Sequence, residues 1–218
     1  MTGRATGRAA APTRGYGGLS AEQRRTERHE RLLDVGLQLF GTEGFAATSI
    51  ERICATAGVS TRHYYQEFTG REALLIELHD RITKEALDAV AAALSEASES
   101  GLHPRIELAV RAYIDATAAD PRRARVAFVE VVGVSAEAEQ HRMEWRARWI
   151  RLLRGEAERA ARNGEAVERD YQLTAVAIIG AVNELVHHWS LKGGAVELEA
   201  VTAELVHLIV AALAVRPA

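Results

Sequence analysis

The feature that most constrains this chain is a pair of short helical patterns joined by a tight corner. Within SIERICATAGVSTRHYYQEF (residues 49–68), apolar residues three and four apart predict two helices, and Ala-Gly-Val-Ser separates them. Gly58 permits a left-handed backbone at the corner, and Ser60 can cap the second helix. This arrangement is typical of a helix-turn-helix, although a tight corner in any helical bundle has the same spacing.

The rest of the chain also has helical periodicity, without the sustained apolar–polar alternation that would predict strands. Capping-box spacings at Ser20 and Thr48 mark two helix starts, and Asp120 followed by Pro121 marks another. We therefore predict an all-α chain. Its helices are expected at 20–41, 48–57, 60–68, 71–98, 104–118, 121–134, 135–163, 170–191 and 197–214.

Composition and charge divide the chain into three parts. Residues 1–19 hold five glycines, three arginines and no acidic residue, which predicts a disordered basic arm, either simply solvated or reaching a DNA minor groove. Residues 1–75 hold ten arginines against eight acidic residues, whereas the remainder holds 17 basic against 22 acidic ones. Because the net charge is −3, phosphate contact is expected only in the first third. We expect a helix-turn-helix domain at 20–70 and a second helical domain at 71–218.

The sequence lacks the signatures of disulfide-linked, metal-binding, enzymatic, membrane-spanning and secreted proteins. A single cysteine, Cys54, permits no internal disulfide and no Cys-rich metal site. His187 and His188 are adjacent and point about 100° apart on a helix, so no metal is expected there. We find no nucleophile elbow, phosphate loop, H-E-x-x-H or dinucleotide fingerprint, so neither an enzyme nor a cofactor is predicted. No apolar run is long enough for a bilayer and no secretory signal is present, which predicts a cytoplasmic location.

From about Arg24 to Leu78 the sequence resembles the N-terminal domain of the tetracycline-repressor (TetR) family. The resemblance covers about a quarter of the chain. Members of this family bind DNA through that domain, and their C-terminal helices bind a small molecule and form a homodimer. The matching residues are FGTEGF at 40–45, Ala-Thr-Ser at 47–49, Ile53, Ala-Gly-Val-Ser at 57–60, Tyr65, Phe68 and Arg-Glu-Ala-Leu at 71–74.

The resemblance implies roles for individual residues of the motif. Thr48, Ser49 and Arg71 are expected to contact phosphate, and Ser60 to begin the recognition helix. The residues expected to face the DNA groove or backbone are Thr61, Arg62, His63, Tyr65 and Gln66.

Three residues depart from the family pattern. Tyr64 is expected in the local core, and Cys54 is expected there as a small apolar residue rather than a redox sensor. The charge of Glu67 would repel phosphate, so a DNA contact is not expected from that position.

The later helices carry large and polar side chains that could line a ligand cavity. Trp145 and Trp149 are four residues apart and so share a helix face, as do Asn183 and His187. Polar groups among apolar ones would orient a mostly apolar or aromatic ligand that is uncharged or carries one polar end. Ordinary core packing explains the rings equally well. The candidate residues are Tyr113, Phe128, Glu130, Trp145, Trp149, Asn183 and His187.

We therefore expect a ligand-responsive transcription regulator, a repressor that a small effector releases from a palindromic double-stranded DNA operator. The resemblance implies a homodimer formed by the helices at 170–191 and 197–214. The alternative is a helical small-molecule-binding module without DNA function, which would show no salt-dependent binding to duplex DNA.

Overall fold

Within residues 20–191 and 196–213, which this computed structural model describes, the chain consists of α-helices, one π-helical segment and connecting turns. The expected all-α fold is confirmed, whereas the predicted arm at 1–19 lies outside the described residues. None of these helices is both long and apolar enough to cross a membrane. The helices are α1 (Ala21–Thr42), α2 (Ile50–Ala57), α3 (Thr61–Tyr64), α4 (Arg71–Glu96), α5 (Leu102–Ala118), α6 (Pro121–Arg125), α7 (Ala136–Arg162), α8 (Gln172–Leu191) and α9 (Leu198–Leu213).

The first three helices pack around one apolar core that the start of α4 closes. Phe40 of α1, Ile53 of α2 and Tyr64 of α3 are fully buried in it, and Cys54 is buried beside them. The hydroxyl of Tyr64 donates a hydrogen bond to the Gly70 carbonyl at 3.1 Å, so its polar atom is satisfied at the edge of the core. The expected core positions of Tyr64 and Cys54 are confirmed.

Local capping signals placed several helix ends correctly. Ser20 forms a full capping box with Gln23 at the start of α1, and the Asp120 side chain caps α6. Helix α2 ends at Gly58, whose φ of 62° is left-handed and therefore favours glycine. The sharp corner of the motif is thus set by residues within it.

Helices α2 and α3 are shorter than predicted. Ser49, rather than Thr48, caps α2 by accepting the backbone N–H of Arg52 at 3.1 Å. The Thr48 side chain is instead buried, and its hydroxyl donates to the Gly44 carbonyl at 2.7 Å. Helix α3 is helical only through Tyr64 and continues as turns.

The remaining helices form a bundle with two further apolar clusters. Helix α5 packs along α4 and against α9, while α8 packs against α7 and α9. One cluster includes Ile106 and Leu205, and the other includes Val90 and Trp149. The space between the clusters becomes the cavity described below.

The helix predicted over 121–134 is interrupted. Helix α6 ends at Arg125, and Val126–Glu130 follows as a π-helix, here called the π segment. A turn with Gly133 at φ 73° then leads to α7. Because a π-helix is wider than an α-helix, side chains close together in the π segment can contact different parts of the protein. Apolar periodicity alone did not distinguish this segment from an α-helix.

Helix α6 joins the bundle to the N-terminal helices. Gly41 of α1 lies so close to α6 that a Cβ atom on it would come within 2.8 Å of the Arg122 Cα. Only a glycine permits this approach without a backbone shift. The bundle and the N-terminal helices are therefore in direct packing contact.

Candidate DNA-binding surface and ligand cavity

The recognition helix α3 presents an exposed polar surface. Its N-cap, Ser60, accepts the backbone N–H of His63 at 3.3 Å, and the two side chains lie 3.0 Å apart. The side chains of Arg62 and Gln66 make no hydrogen bond or ion pair within the described residues, so both can engage an external partner. The predicted DNA-contacting residues that the structure leaves exposed are Ser49, Ser60, Thr61, Arg62, His63, Tyr65 and Gln66.

Two predicted phosphate contacts have internal partners instead. The Thr48 side chain is fully buried and bonded to Gly44, so the expectation that it contacts phosphate is wrong. Arg71 is half-buried, and its Nη1 donates to the carbonyls of Phe45 and Thr48. Its guanidinium also lies 4.8 Å from the Phe45 ring centroid. The other guanidinium N–H groups of Arg71 can still donate to a phosphate, so its phosphate contact stays a prediction.

The sequence suggested that Glu67 would present a negative charge that repels phosphate. In the structure its carboxylate is instead paired with arginines. Its side chain is 2% exposed and accepts hydrogen bonds from Arg25 at 3.1 Å and Arg28 at 2.6 Å. Burial by itself would raise the pKa of Glu67, but the hydrogen bonds and charges of Arg28 and Arg25 lower that pKa below its ordinary value. The carboxylate is therefore a neutralised link between α1 and the end of the motif.

Sequence reasoning missed a basic groove beside the recognition helix. Arg24, Arg28 and Arg31 of α1 lie next to Ser60 and His63 around a groove of about 350 Å³, with Glu27 as the acidic residue of its lining. Arg24 and Arg31 are exposed and make no ion pair within the described residues. Their spacing of four and three residues, which places them on one helix face, was the available signal.

A cavity of about 490 Å³ lies among α4, α5, the π segment, α7, α8 and α9. Its wall is mostly apolar, and the Tyr113 and Trp149 rings meet edge to face with centroids 5.2 Å apart. Burial raises the pKa of Tyr113, so its phenol stays neutral. Six of the seven residues predicted for a cavity line it: Tyr113, Phe128, Trp145, Trp149, Asn183 and His187.

The seventh, Glu130, faces the N-terminal helices and not the cavity, which corrects the sequence prediction. Its Oε2 accepts the Phe45 backbone N–H at 2.7 Å, and its Oε1 accepts from Arg125 Nε at 2.8 Å. Arg125 in turn donates to the Thr42 carbonyl at 2.9 Å. Glu130 therefore fastens the π segment to the loop between α1 and α2.

Sequence reasoning missed eight polar residues of the cavity wall: His79, Thr83, Thr117, Glu139, Arg142, Arg146, Glu156 and Glu184. His79 is 6% exposed, and its Nδ1 has no hydrogen-bond partner within the described residues. Burial, with the nearby charges of His141 and Arg142, lowers the pKa of His79 to about 3, so the ring is neutral near pH 7. No three His, Cys, Asp or Glu side chains form a metal-binding group in the described part of the chain.

Two family models match the chain. Residues 32–78 match the tetR family of bacterial regulatory proteins, and residues 99–213, more than half of the chain, match a tetracyclin repressor-like C-terminal domain. Over 50 residues the chain is 40% identical to the uncharacterized HTH-type transcriptional regulator YerO of Bacillus subtilis (strain 168). That alignment covers 23% of this chain and only 17% of YerO.

Solved structures share the fold at low sequence identity. The fatty acid degradation regulator FadR from Bacillus halodurans has a TM-score of 0.76 at 22% identity, covering 84% of this chain and 94% of that one. FadR from Bacillus subtilis, solved in complex with stearoyl-CoA, has a TM-score of 0.72 at 20% identity, with 85% and 99% covered. A regulatory protein of the tetR family from Rhodococcus RHA1 has a TM-score of 0.71 at 21% identity, with 88% and 99% covered.

Proposed function

Because the chain belongs to the tetR family of bacterial regulatory proteins, we propose that it is a repressor that a small effector releases from a palindromic operator. The observation that carries the proposal is the π segment. Phe128 of this segment lines the cavity, while Glu130 of the same segment holds the loop before the helix-turn-helix. A ligand in the cavity can therefore act on the element that positions α1 and α2. In this proposal residues 20–70 bind DNA and residues 71–218 bind the effector and dimerise.

DNA recognition is assigned to the exposed start of α3, with Arg62 reading a base. An arginine in the major groove can bond bidentately to guanine, which contributes roughly 1–3 kcal/mol of discrimination. Arg62→Ala should weaken operator binding and relax preference at one position of each half-site, measured by fluorescence anisotropy on a panel of operator variants. Arg151→Ala removes another exposed arginine, on α7, and should have no such effect.

The outcome also separates the two candidate functions. If Arg62→Ala weakens binding to all sequences equally, Arg62 contacts phosphate only. If the wild-type protein binds no duplex at any salt concentration, the chain is a ligand-binding module without DNA function. The exposed arginines of α1 favour the DNA-binding function, because phosphate contacts dominate such affinity.

The dimer is assigned to the outer faces of α8 and α9. Leu173 and Leu191 are 81% and 63% exposed on α8, and Leu208 is 38% exposed on α9. These side chains would be buried by a second copy of the chain. Gly180→Leu should disrupt that interface, since a Cβ there meets no atom of another element of its own protomer within 4 Å. Because Gly180 also borders the cavity, dissociation is measured without ligand.

The dimer is tested by sedimentation, with Gly155→Leu as the control. Gly155 is also open to a Cβ, but it lies exposed on α7. We expect a dimer for the wild type and the control, and dissociation for Gly180→Leu. A stable wild-type monomer at micromolar concentration would remove the dimer from the proposal.

The effector is proposed to be mostly apolar with one polar end. The cavity wall supports this class, because apolar side chains predominate and most of the polar ones lie toward one end. The complex of Bacillus subtilis FadR with stearoyl-CoA is consistent with it. Titration of tryptophan fluorescence tests binding, since Trp145 and Trp149 line the cavity. Unchanged affinity after Trp149→Ala in folded protein would place the ligand elsewhere.

A further inference from the structure

The cavity is long and follows two helices for much of their length. Its α4 wall runs from His79 to Leu94, a distance of roughly 22 Å at about 1.5 Å rise per residue. Its α7 wall runs from Glu139 to Glu156. An elongated ligand fills such a space better than a compact one.

Contacts between helices fix which ends of these walls meet. Trp145 Nε1 donates to Asp80 Oδ1 at 3.0 Å, which pairs the start of the α4 wall with the start of the α7 wall. Helix α8 runs the opposite way, because Arg154 of α7 donates to Gln172 at the start of α8 at 3.1 Å. The end of α8 therefore lies beside the start of α7.

Most of the polar lining groups consequently gather at one end of the cavity, with Glu156 as the charged exception. We define this head end by His79, Arg142, Arg146, Asn183 and His187. The opposite tail end is lined by apolar side chains, including those on α4, α5 and α7: Val90, Leu94, Ile106, Leu152 and Leu153.

Glu156 is the acidic group at the tail end, and arginines neutralise it. Its carboxylate lies 3.3 Å from Arg105 and 3.8 Å from Arg159. The tail end therefore offers no unbalanced negative charge, and it suits a hydrocarbon chain.

At the head end two arginines are balanced in formal charge by Glu139 and Glu184, but the arginines are the less exposed of these four groups. Arg142 and Arg146 are partly buried, whereas the two acidic residues at the same rim, Glu139 and Glu184, are exposed to solvent. Glu139 pairs with Arg142 at 2.5 Å, while Arg146 has no ion partner within the described residues. An anionic group bound here would supply that partner in a partly desolvated place.

His79 adds a second polar requirement at the head end. Its ring is buried and neutral, with an Nδ1 that lacks a partner in the described part of the chain. A buried polar atom without a partner is destabilising, so a ligand that bonds to it gains affinity. The ligand head therefore needs hydrogen-bonding capacity as well as charge.

From this distribution we infer that the effector is an elongated anionic amphiphile, with its hydrocarbon tail toward Leu94 and its negatively charged head beside Arg146 and His79. The inference rests on the proposed ligand-responsive function. A free fatty acid and an acyl-CoA thioester share this chemistry. A carboxylate or a phosphate can each accept hydrogen bonds from an arginine.

The test is fluorescence titration of the full chain with stearate, stearoyl-CoA, 1-octadecanol and octadecylamine. One or both anions should bind at least about tenfold more tightly than the neutral alcohol, since charge-assisted hydrogen bonds are about twice as strong as neutral ones. The amine should bind most weakly. Whichever anion binds more tightly identifies the source of the head.

Matched variants locate the head. Arg146→Gln should weaken binding of the anion roughly tenfold and leave the alcohol unchanged, and Arg146→Lys should restore part of the affinity. Arg151→Gln, an exposed arginine outside the cavity, is the control. Leu94→Trp should reduce the longest chain accepted, because it fills the tail end. Melting by circular dichroism verifies that each variant is folded.

Each outcome decides the inference. Equal affinity for stearate and octadecanol, tighter binding of the amine, or no effect of Arg146→Gln on a folded protein would overturn it. If no amphiphile binds while another compound releases the protein from its operator, the anionic class is wrong and the proposed function stands. If no compound alters operator binding, the proposed function itself fails.

Discussion

Replacing Glu130 with alanine should loosen the DNA-binding helices from the ligand-binding bundle. The carboxylate is 12% exposed and accepts from the Phe45 N–H and from Arg125. Alanine leaves the Phe45 N–H without a partner, which costs about 1.5–3 kcal/mol for a bond to a charged group. Arg125 is about one-third exposed and keeps its hydrogen bond to the Thr42 carbonyl. Loss of its ion pair with Glu130 therefore adds at most about 1 kcal/mol.

The expected loss of about 1.5–4 kcal/mol is a large part of an ordinary domain's stability of about 5–15 kcal/mol. Urea unfolding followed by circular dichroism should show a lower midpoint with an unchanged slope. Glu130→Gln keeps an acceptor for the Phe45 N–H and should retain much of the stability. Glu168→Ala removes an exposed carboxylate without a partner in the described residues and serves as the control.

The functional consequence is measured on the same variants. Operator binding should weaken in Glu130→Ala, because the loop before α2 is no longer held at Phe45. Effector-induced release should weaken as well, because the link between the π segment and that loop is lost. Wild-type stability together with wild-type release in Glu130→Ala would refute this reasoning.

Three further perturbations test other contacts. Glu67→Gln should lower the unfolding free energy by about 1–3 kcal/mol and weaken operator binding, since Arg25 and Arg28 lose their shared carboxylate; urea unfolding and anisotropy measure both. The lowered pKa of His79 means that the unfolded chain takes up a proton below about pH 6.5 while the folded chain does not until about pH 3. Stability should therefore fall by up to about 1.4 kcal/mol per pH unit as the pH decreases through that window, and His79→Gln should flatten the dependence in urea titrations. Gly41→Ala should destabilise by about 1–3 kcal/mol through its clash with α6, whereas Gly155→Ala should stabilise slightly; thermal unfolding of both variants distinguishes packing from helix propensity.

The helix boundaries that could be predicted from the sequence depend on neighbours within one turn. Ser20, Asp120 and Gly58 act through their own backbone surroundings, so the pattern alone locates them. The choice between Thr48 and Ser49 as a cap was not local. It depends on the Gly44 carbonyl, which the fold of the preceding loop brings to the Thr48 hydroxyl.

The cavity-lining residues could be predicted where the size and apolarity of a side chain determine its position. They could not be predicted where a hydrogen-bond partner distant in sequence determines it. Large rings such as Trp149 have few places in a bundle other than an interior wall. Glu130 was misplaced because its partner Phe45 lies 85 residues away in sequence. His79 and Arg146 were missed because only the pairing of α4 with α7 turns them toward the cavity.

The π segment contacts both the N-terminal helices and the C-terminal bundle, a role that helical periodicity in the sequence does not reveal. Phe128 packs against both the N-terminal core and the core of the bundle, and Glu130 follows it by two residues. A ligand shifts the position of this segment only if it binds the two conformations with different affinity. Coupling of this kind is reciprocal, typically about 1–3 kcal/mol, so the operator must weaken effector binding by the factor with which the effector weakens operator binding. Glu130→Ala should reduce both factors together, since both act through one contact. If both factors keep their wild-type value in the folded variant, the coupling passes through other contacts between α6 and α1.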